Sequence, residues 1–243
     1  MLNLCLIGKD IKNSRSPELY LSMAKTDNVD LKYELCDLCD TELDDFILSV
    51  RDNKYDGFNV THPYKKIIMN YLDYISEEAI AVEAVNTVRN VNGKLYGYNT
   101  DIYGAYESIK PVLCEGSILI LGRGGAARAV VYAFKDYDLT IYARDLNNEE
   151  ILKIKSDLKV IDRLENVDFV NVINATSVGF NSDQTILEKP FKSQKTAVDL
   201  IYTPPKTKFL KNMEKYNIKT KNGYDMLRLQ AEKSYKIYLG DIV

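Results

Sequence analysis

Two short segments hold the side chains with the most chemistry to offer. Residues 59–65 read NVTHPYK and residues 99–101 read NTD, so one lysine, Lys65, and one aspartate, Asp101, stand among hydroxyl and amide groups. An ammonium and a carboxylate can share general acid–base work, which a carbonyl needs when hydride arrives at its carbon. A glycine-rich turn, Gly122-Arg123-Gly124-Gly125, follows the apolar run 117–121. Removing side chains there lets backbone amides and the start of a following helix approach a pyrophosphate. Gly122, Arg123, Gly124, Gly125 and Ala126 are the candidates for that cradle. Proton groups ahead of a nucleotide cradle imply an oxidoreductase.

Pro63 predicts a helix opening just before Lys65, which would set the ammonium near the positive end of a helix dipole, with Asp101 to orient it and balance its charge. Ser16-Pro17 reads as another helix opening, with serine as N-cap and proline at the first position. The amides of that turn would attract an anion. Run 139–143 ends in Arg144-Asp145, close to where a dinucleotide fold chooses between a bare ribose and a 2′-phosphate. A guanidinium suits the phosphate, so the expected cofactor is NADP, with NAD as the alternative. His62 is the only histidine, which excludes a Ser-His-Asp triad.

The elements that must position these groups alternate between strands and helices. Residues 2–7, 30–35 and 57–60 read as strands, and 17–25 and 42–50 as helices. Residues 84–90 and 94–98 flank Asn92-Gly93, a pair suited to a two-residue hairpin. A helix is expected from about Ile102. The second half starts anew with apolar runs 117–121, 139–143, 168–173 and 196–199, as strands buried on both faces require, and with helices at 126–134 and 149–156 between them. Residues 226–238 carry Leu227, Ala231, Tyr235 and Tyr238 at helical spacing, an apolar face expected to pack back on the first half. The fold class is α/β with two domains: 1–101 with 224–243 for substrate and catalysis, and 102–223 as a Rossmann-type dinucleotide domain.

Composition excludes several other classes. With 46% hydrophobic and 28% charged residues, the 243-residue chain can bury real cores, so disorder is not expected. Its 35 acidic and 32 basic residues are interspersed, leaving no basic block for nucleic acid or an anionic membrane. The apolar start is too short and too polar for a signal peptide or a span, so the protein is expected in the cytoplasm. Cys36 and Cys39 are spaced as a redox or zinc half-site, but no second pair completes four ligands, and reduced structural thiols and no metal are expected. Asp37 and Asp40 are expected to raise the Cys36 thiol.

Taken together, the motifs resemble the shikimate dehydrogenase family from Gly8 to about Leu239. SxSP is similar to residues 14–17, NVTxPxK to 59–65, NT to 86–87 and GxNTD to 97–101. GxGGAAR is similar to 122–128, INATSxG to 173–179, DxxYxPxxT to 199–207 and MLxxQA to 226–231. The resemblance implies reversible NADP-linked reduction of 3-dehydroshikimate to shikimate, a small-molecule substrate, with a monomer or homodimer as the assembly. It implies Lys65 and Asp101 as the catalytic pair, Ser14 and Ser16 on the substrate carboxylate, and Thr61, Asn86, Tyr202 and Gln230 completing the polar pocket. The nucleotide side would take the glycine loop, Arg144, Thr176 and Gly223. This sequence departs from the pattern at Ile102, where glycine is usual, at Arg123, and at Asn148, where a second basic residue is usual. The alternatives are a quinate or quinate/shikimate dehydrogenase, and a non-catalytic dinucleotide-binding sensor; SxSP and MLxxQA disfavour a folate-linked dehydrogenase.

Overall fold

The structure is a computed structural model and describes residues 1–144 and 149–241. Two compact units divide the chain: Met1–Thr100 with Gln230–Val243, and Asp101–Leu229.

The first unit runs β1 (Leu2–Gly8), α1 (Ser16–Thr26), β2 (Leu31–Asp37), α2 (Leu43–Arg51), β3 (Gly57–Val60), β4 (Tyr74–Ile75), α3 (Glu77–Ala81), β5 (Thr87–Val91) and β6 (Lys94–Tyr98). Its six-stranded sheet has the order β2-β1-β3-β5-β6-β4. The first three strands are parallel because helices connect them, whereas β5 runs antiparallel to both β3 and β6. Asn92 and Gly93 both take positive φ, 53° and 82°, the backbone that a two-residue hairpin needs. Alternation along β1 sends Cys5 and Ile7 to one core with Phe46, Val50 and Phe58, and Leu4 and Leu6 to another with Tyr20 and Tyr33.

The second unit runs α4 (Asp101–Ile109), β7 (Ile118–Leu121), α5 (Gly125–Ala133), β8 (Leu139–Tyr142), α6 (Glu149–Leu152), β9 (Lys159–Ile161), β10 (Asn171–Asn174), β11 (Thr196–Asp199), α7 (Lys208–Glu214) and β12 (Lys219–Lys221). α8 (Tyr224–Leu239) closes the described chain. The second sheet has the order β12-β11-β10-β7-β8-β9, parallel throughout, and the strands β7, β10 and β11 are buried along their whole length. That is the doubly wound arrangement, with the order reversing beside β7.

Of the expected face of α8, Ala231, Tyr235 and Tyr238 lie in the core with Leu4, Tyr20 and Tyr33, whereas Leu227 is half-buried and outside that core. Tyr20 stacks on Tyr33 at 4.6 Å and meets the Tyr235 and Tyr238 rings at 6.4 and 6.1 Å. α6 is shorter than its apolar pattern, four residues against the eight expected. Short elements carry too few residues to show a period, which is why β4, β9 and β12, of two or three residues each, were not readable in advance.

Gly223 has an architectural reason to be glycine. Its N–H donates to the Ile201 carbonyl at 3.1 Å, and a Cβ there would stand 1.9 Å from the Leu200 carbonyl oxygen, a backbone atom that cannot swing aside. Gly223→Ala is expected to lower stability by about 1–3 kcal/mol, the usual cost of overpacking. Gly124→Ala, where a Cβ meets nothing within 4 Å, is the control and is expected to change far less. Thermal melting of the two variants tests this.

Candidate functional site

Hydrogen bonds join two groups of the expected residues in the first unit, Ser14 with Ser16 and Asn86 with Gln230. The Ser14 hydroxyl donates to Ser16 Oγ at 3.1 Å and accepts the Ser16 N–H at 3.2 Å. The Tyr33 hydroxyl donates to Asn59 Oδ1 at 2.9 Å. Asn59 Nδ2 then donates to the Asn86 carbonyl at 3.3 Å. Asn86, 3% exposed, accepts on Oδ1 from the Thr100 N–H at 2.8 Å and the Thr87 hydroxyl at 3.0 Å. Its Nδ2 donates to Thr100 Oγ1 at 3.0 Å and to Gln230 Oε1 at 3.4 Å. The fully buried Ser234 stands 2.6 Å from Thr87 Oγ1 and 2.9 Å from Thr100 Oγ1, and its hydroxyl donates to the Gln230 carbonyl at 3.0 Å. Asn86 and Gln230 are thus linked to each other and to Tyr33 through Asn59, Thr87, Thr100 and Ser234.

Three of those linking residues lie inside motifs already read, but Tyr33 and Ser234 carry no such signal. Tyr33 looks like an ordinary strand aromatic, and Ser234 like a polar residue on a helix. Burial pushes the Tyr33 hydroxyl well above its usual titration range, with Tyr20 adding to the shift, so it serves as a neutral donor.

Lys65 and Thr61 are held from the backbone. The Thr61 N–H donates to the Ile7 carbonyl at 3.0 Å, and the Lys65 carbonyl accepts the Val85 N–H at 2.8 Å. Lys65 is half-buried, yet it does not sit in the first turn of an α-helix: the stretch after the cis His62–Pro63 bond is a turn, and the 3-10 helix Ile67–Tyr71 starts two residues later. A dipole argument for Lys65 therefore fails, because no extended ladder of aligned peptides begins there. The serine turn also differs in detail. α1 starts at Ser16 itself with Arg15 in the cap position, and Ser14 supplies the hydroxyl that receives the Ser16 N–H. Asp101 opens α4 as the residue covalently following Thr100, and Ile102 occupies its first turn.

In the second unit, β7 delivers the glycine loop. Gly122 takes φ +108°, and a Cβ on it would stand 2.8 Å from Thr176 Cγ2 and 3.2 Å from the Ala175 carbonyl oxygen. At Gly124 and Gly125 a Cβ would meet nothing within 4 Å, so space is open over the loop. α5 begins at Gly125, Ala126 lies in its first turn, and no side chain of the loop caps its amides. These features fit a pyrophosphate, which would be received by helix amides. Arg123 is exposed at the tip, and Arg144 is exposed where β8 ends. Asp145–Asn148, including the missing second basic position, lie outside the described residues.

Two other motifs divide between architecture and surface. Thr176 donates its hydroxyl to Asn174 Oδ1 at 2.7 Å, and Asn174 Nδ2 donates to Asp199 Oδ1 at 3.0 Å. Asp199 also accepts from the Ile201 N–H and the Thr207 hydroxyl, while burial keeps its carboxyl above the usual range against those donors. These groups brace the ends of β10 and β11. Tyr202 is left half-buried just beyond β11.

The cysteines do not pair as their spacing invites. Cys36 lies 3.5 Å from the Tyr55 hydroxyl, while exposed Cys39 meets the Thr41 hydroxyl at 3.1 Å. The hydrogen bond from Cys5 brings the Cys36 thiol down to about 7, against burial, the reverse of the expected rise. The acidic groups blamed for that rise are engaged elsewhere: Asp37 accepts the Asp10 N–H and Asp40 pairs with Lys9 at 2.8 Å. Among the described residues, no group of three metal-ligating side chains comes together.

A doubly wound sheet with an open glycine loop, preceded by a polar-lined α/β unit, defines a dinucleotide-dependent class of protein. Comparison with known proteins narrows the class. The family model for the shikimate dehydrogenase substrate binding domain matches residues 6–88. A shikimate dehydrogenase (NADP(+)) of Pelagibacter ubique is 35% identical, over 96% of this chain and 91% of its own. The Thermus thermophilus shikimate 5-dehydrogenase solved with NADP(H) and shikimate is 29% identical, with a TM-score of 0.92, over 99% of this chain and 94% of its own. The Listeria monocytogenes shikimate 5-dehydrogenase solved with shikimate and NAD is 30% identical, with a TM-score of 0.85, over 99% and 92%. The chain belongs to the shikimate dehydrogenase family.

Tyr33→Phe keeps the ring stack and removes the donor to buried Asn59. Loss of about 1–3 kcal/mol in denaturant unfolding is expected, the cost of leaving a buried acceptor unmatched. Cys36 alkylation is expected to rise through about pH 7 as its thiolate forms, and Cys5→Ala should move that midpoint upward. A midpoint near that of an ordinary thiol in the parent would contradict the lowering.

Proposed function

We propose that the protein is an NADP-linked shikimate dehydrogenase, catalysing the reversible reduction of 3-dehydroshikimate to shikimate. The reading rests on family membership along nearly the whole chain, and one observation in the first unit gives it chemical content. Asn86 and its neighbour hold both proton-group segments from the backbone: Val85 donates to the Lys65 carbonyl, and Asn86 receives the Thr100 N–H immediately before Asp101.

In this reading NADP, when bound, supplies or accepts the hydride. Lys65 and Asp101 share the proton at the substrate oxygen. Ser14 and Ser16 meet the substrate carboxylate with hydroxyl donors, while Thr61, Asn86, Tyr202 and Gln230 address its hydroxyls. Asn86 suits a polyhydroxylated ligand because its own donors and acceptors are already oriented by Thr87 and Thr100. The open loop at Gly122–Ala126 receives the pyrophosphate, with Thr176 and Gly223 shaping the neighbouring backbone, and Arg144 meets the 2′-phosphate. Residues 1–101 with 224–243 are assigned to substrate and 102–223 to NADP. No helix among the described residues is long and apolar enough to cross a membrane. We place the enzyme in the cytoplasm as a monomer or homodimer.

The test is formation of reduced nicotinamide from shikimate, with quinate as the rival alcohol and NAD as the rival cofactor. Preferred turnover of shikimate with NADP is expected; faster quinate oxidation, or no turnover with either alcohol, would overturn the assignment. Lys65→Ala is expected to cut kcat at least about a hundredfold, with NADP affinity and melting temperature retained. Unchanged kcat would remove Lys65 from the chemistry.

A further inference from the structure

We propose that Arg163 is a second determinant of cofactor choice, joining Arg144 to give the 2′-phosphate of NADP two guanidinium partners. The inference rests on the NADP reading above and extends it to a residue with no motif around it.

The sheet places the two arginines at neighbouring strand ends. β8 and β9 pair in parallel as Thr140↔Lys159, Ile141↔Val160 and Tyr142↔Ile161. The ladder continues one step further, because the Ala143 N–H donates to the Ile161 carbonyl at 3.0 Å. Arg144 and Arg163 each stand two residues beyond the last paired couple, on chains about 4.8 Å apart where they leave the sheet. Both are exposed, and neither forms an ion pair among the described residues.

The order of the sheet then assigns them a ligand. β7, β8 and β9 are consecutive neighbours, so the glycine loop, Arg144 and Arg163 follow one another along the same carboxyl edge. In such sheets the ligand lies outside that edge, with pyrophosphate at the first loop and the adenosine ribose at the next strand end. A phosphate monoester carries about -1.5 to -2 charges near pH 7, more than one guanidinium neutralises. Arg163 supplies the second charge and a further set of paired donors. Asp162 is exposed beside it, a carboxylate whose charge would oppose a phosphate rather than hold it.

Binding measured by calorimetry tests the proposal without turnover. The probes are NADP, NAD, 2′,5′-ADP and 5′-AMP, against the parent, Arg163→Gln, Arg163→Lys, Arg144→Gln and Asp162→Asn. Arg163→Gln is expected to weaken NADP and 2′,5′-ADP about tenfold or more, the loss of a charge-assisted hydrogen bond, and to leave NAD and 5′-AMP within about twofold. Arg163→Lys should recover part of that loss, and Asp162→Asn should not weaken NADP. Unchanged NADP binding in Arg163→Gln, or equal losses for NADP and NAD at an unchanged melting temperature, would overturn the role. If the parent oxidises shikimate with NADP while Arg163→Gln binds normally, only this proposal falls. A parent that binds neither nucleotide overturns the cofactor reading and this proposal together.

Discussion

The first unit depends on the need to satisfy one buried amide. Asn86 has a two-sided side chain sealed from water, and leaving either side unmatched costs about 1–3 kcal/mol. Its partners come from three separate places: Thr87 beside it, Thr100 after the hairpin, and Gln230 from α8, 144 residues along the chain. Meeting that requirement brings the end of β6 and the last helix to one point. Ser234 strengthens the closure, since it reaches both threonine hydroxyls and the carbonyl of Gln230. Asn86 and Gln230, two of the groups proposed to address substrate, are therefore also groups that hold the unit together.

The second unit is organised by close approach of backbone rather than by buried amides alone. Gly122 must turn with positive φ under Thr176 and Ala175, and Gly223 must lie against the Leu200 carbonyl. Side chains at either place would push apart the backbone segments that meet there. Gly124 and Gly125 differ, because nothing in the unit crowds them. Their missing side chains leave room above the loop, as a ligand-facing glycine requires.

Motifs read as single units in the sequence divide when their contacts are seen. In the stretch from Asp199 to Thr207, the aspartate and the threonine bind each other and brace a loop, while Tyr202 remains half-buried beyond them. In the stretch from Asn59 to Lys65, Asn59 is a buried connector and Lys65 is suspended by its own carbonyl. The Cys36–Cys39 spacing was the least informative, because Cys36 lies in β2 and Cys39 is exposed in the turn beyond it.

The sequence alone determined most of the strands and helices, the hairpin at Asn92-Gly93, the glycine turn and the resemblance to the family, because these depend on local backbone freedom, hydrophobic period and fixed spacing. It could not locate Tyr33 or Ser234 in the polar chain, nor deny Lys65 its helix, since those outcomes depend on which distant groups complete each hydrogen-bonding atom. The adjacency of Arg144 and Arg163 was equally hidden: 19 residues separate them along the chain, and only parallel pairing of β8 with β9 brings their strand ends together.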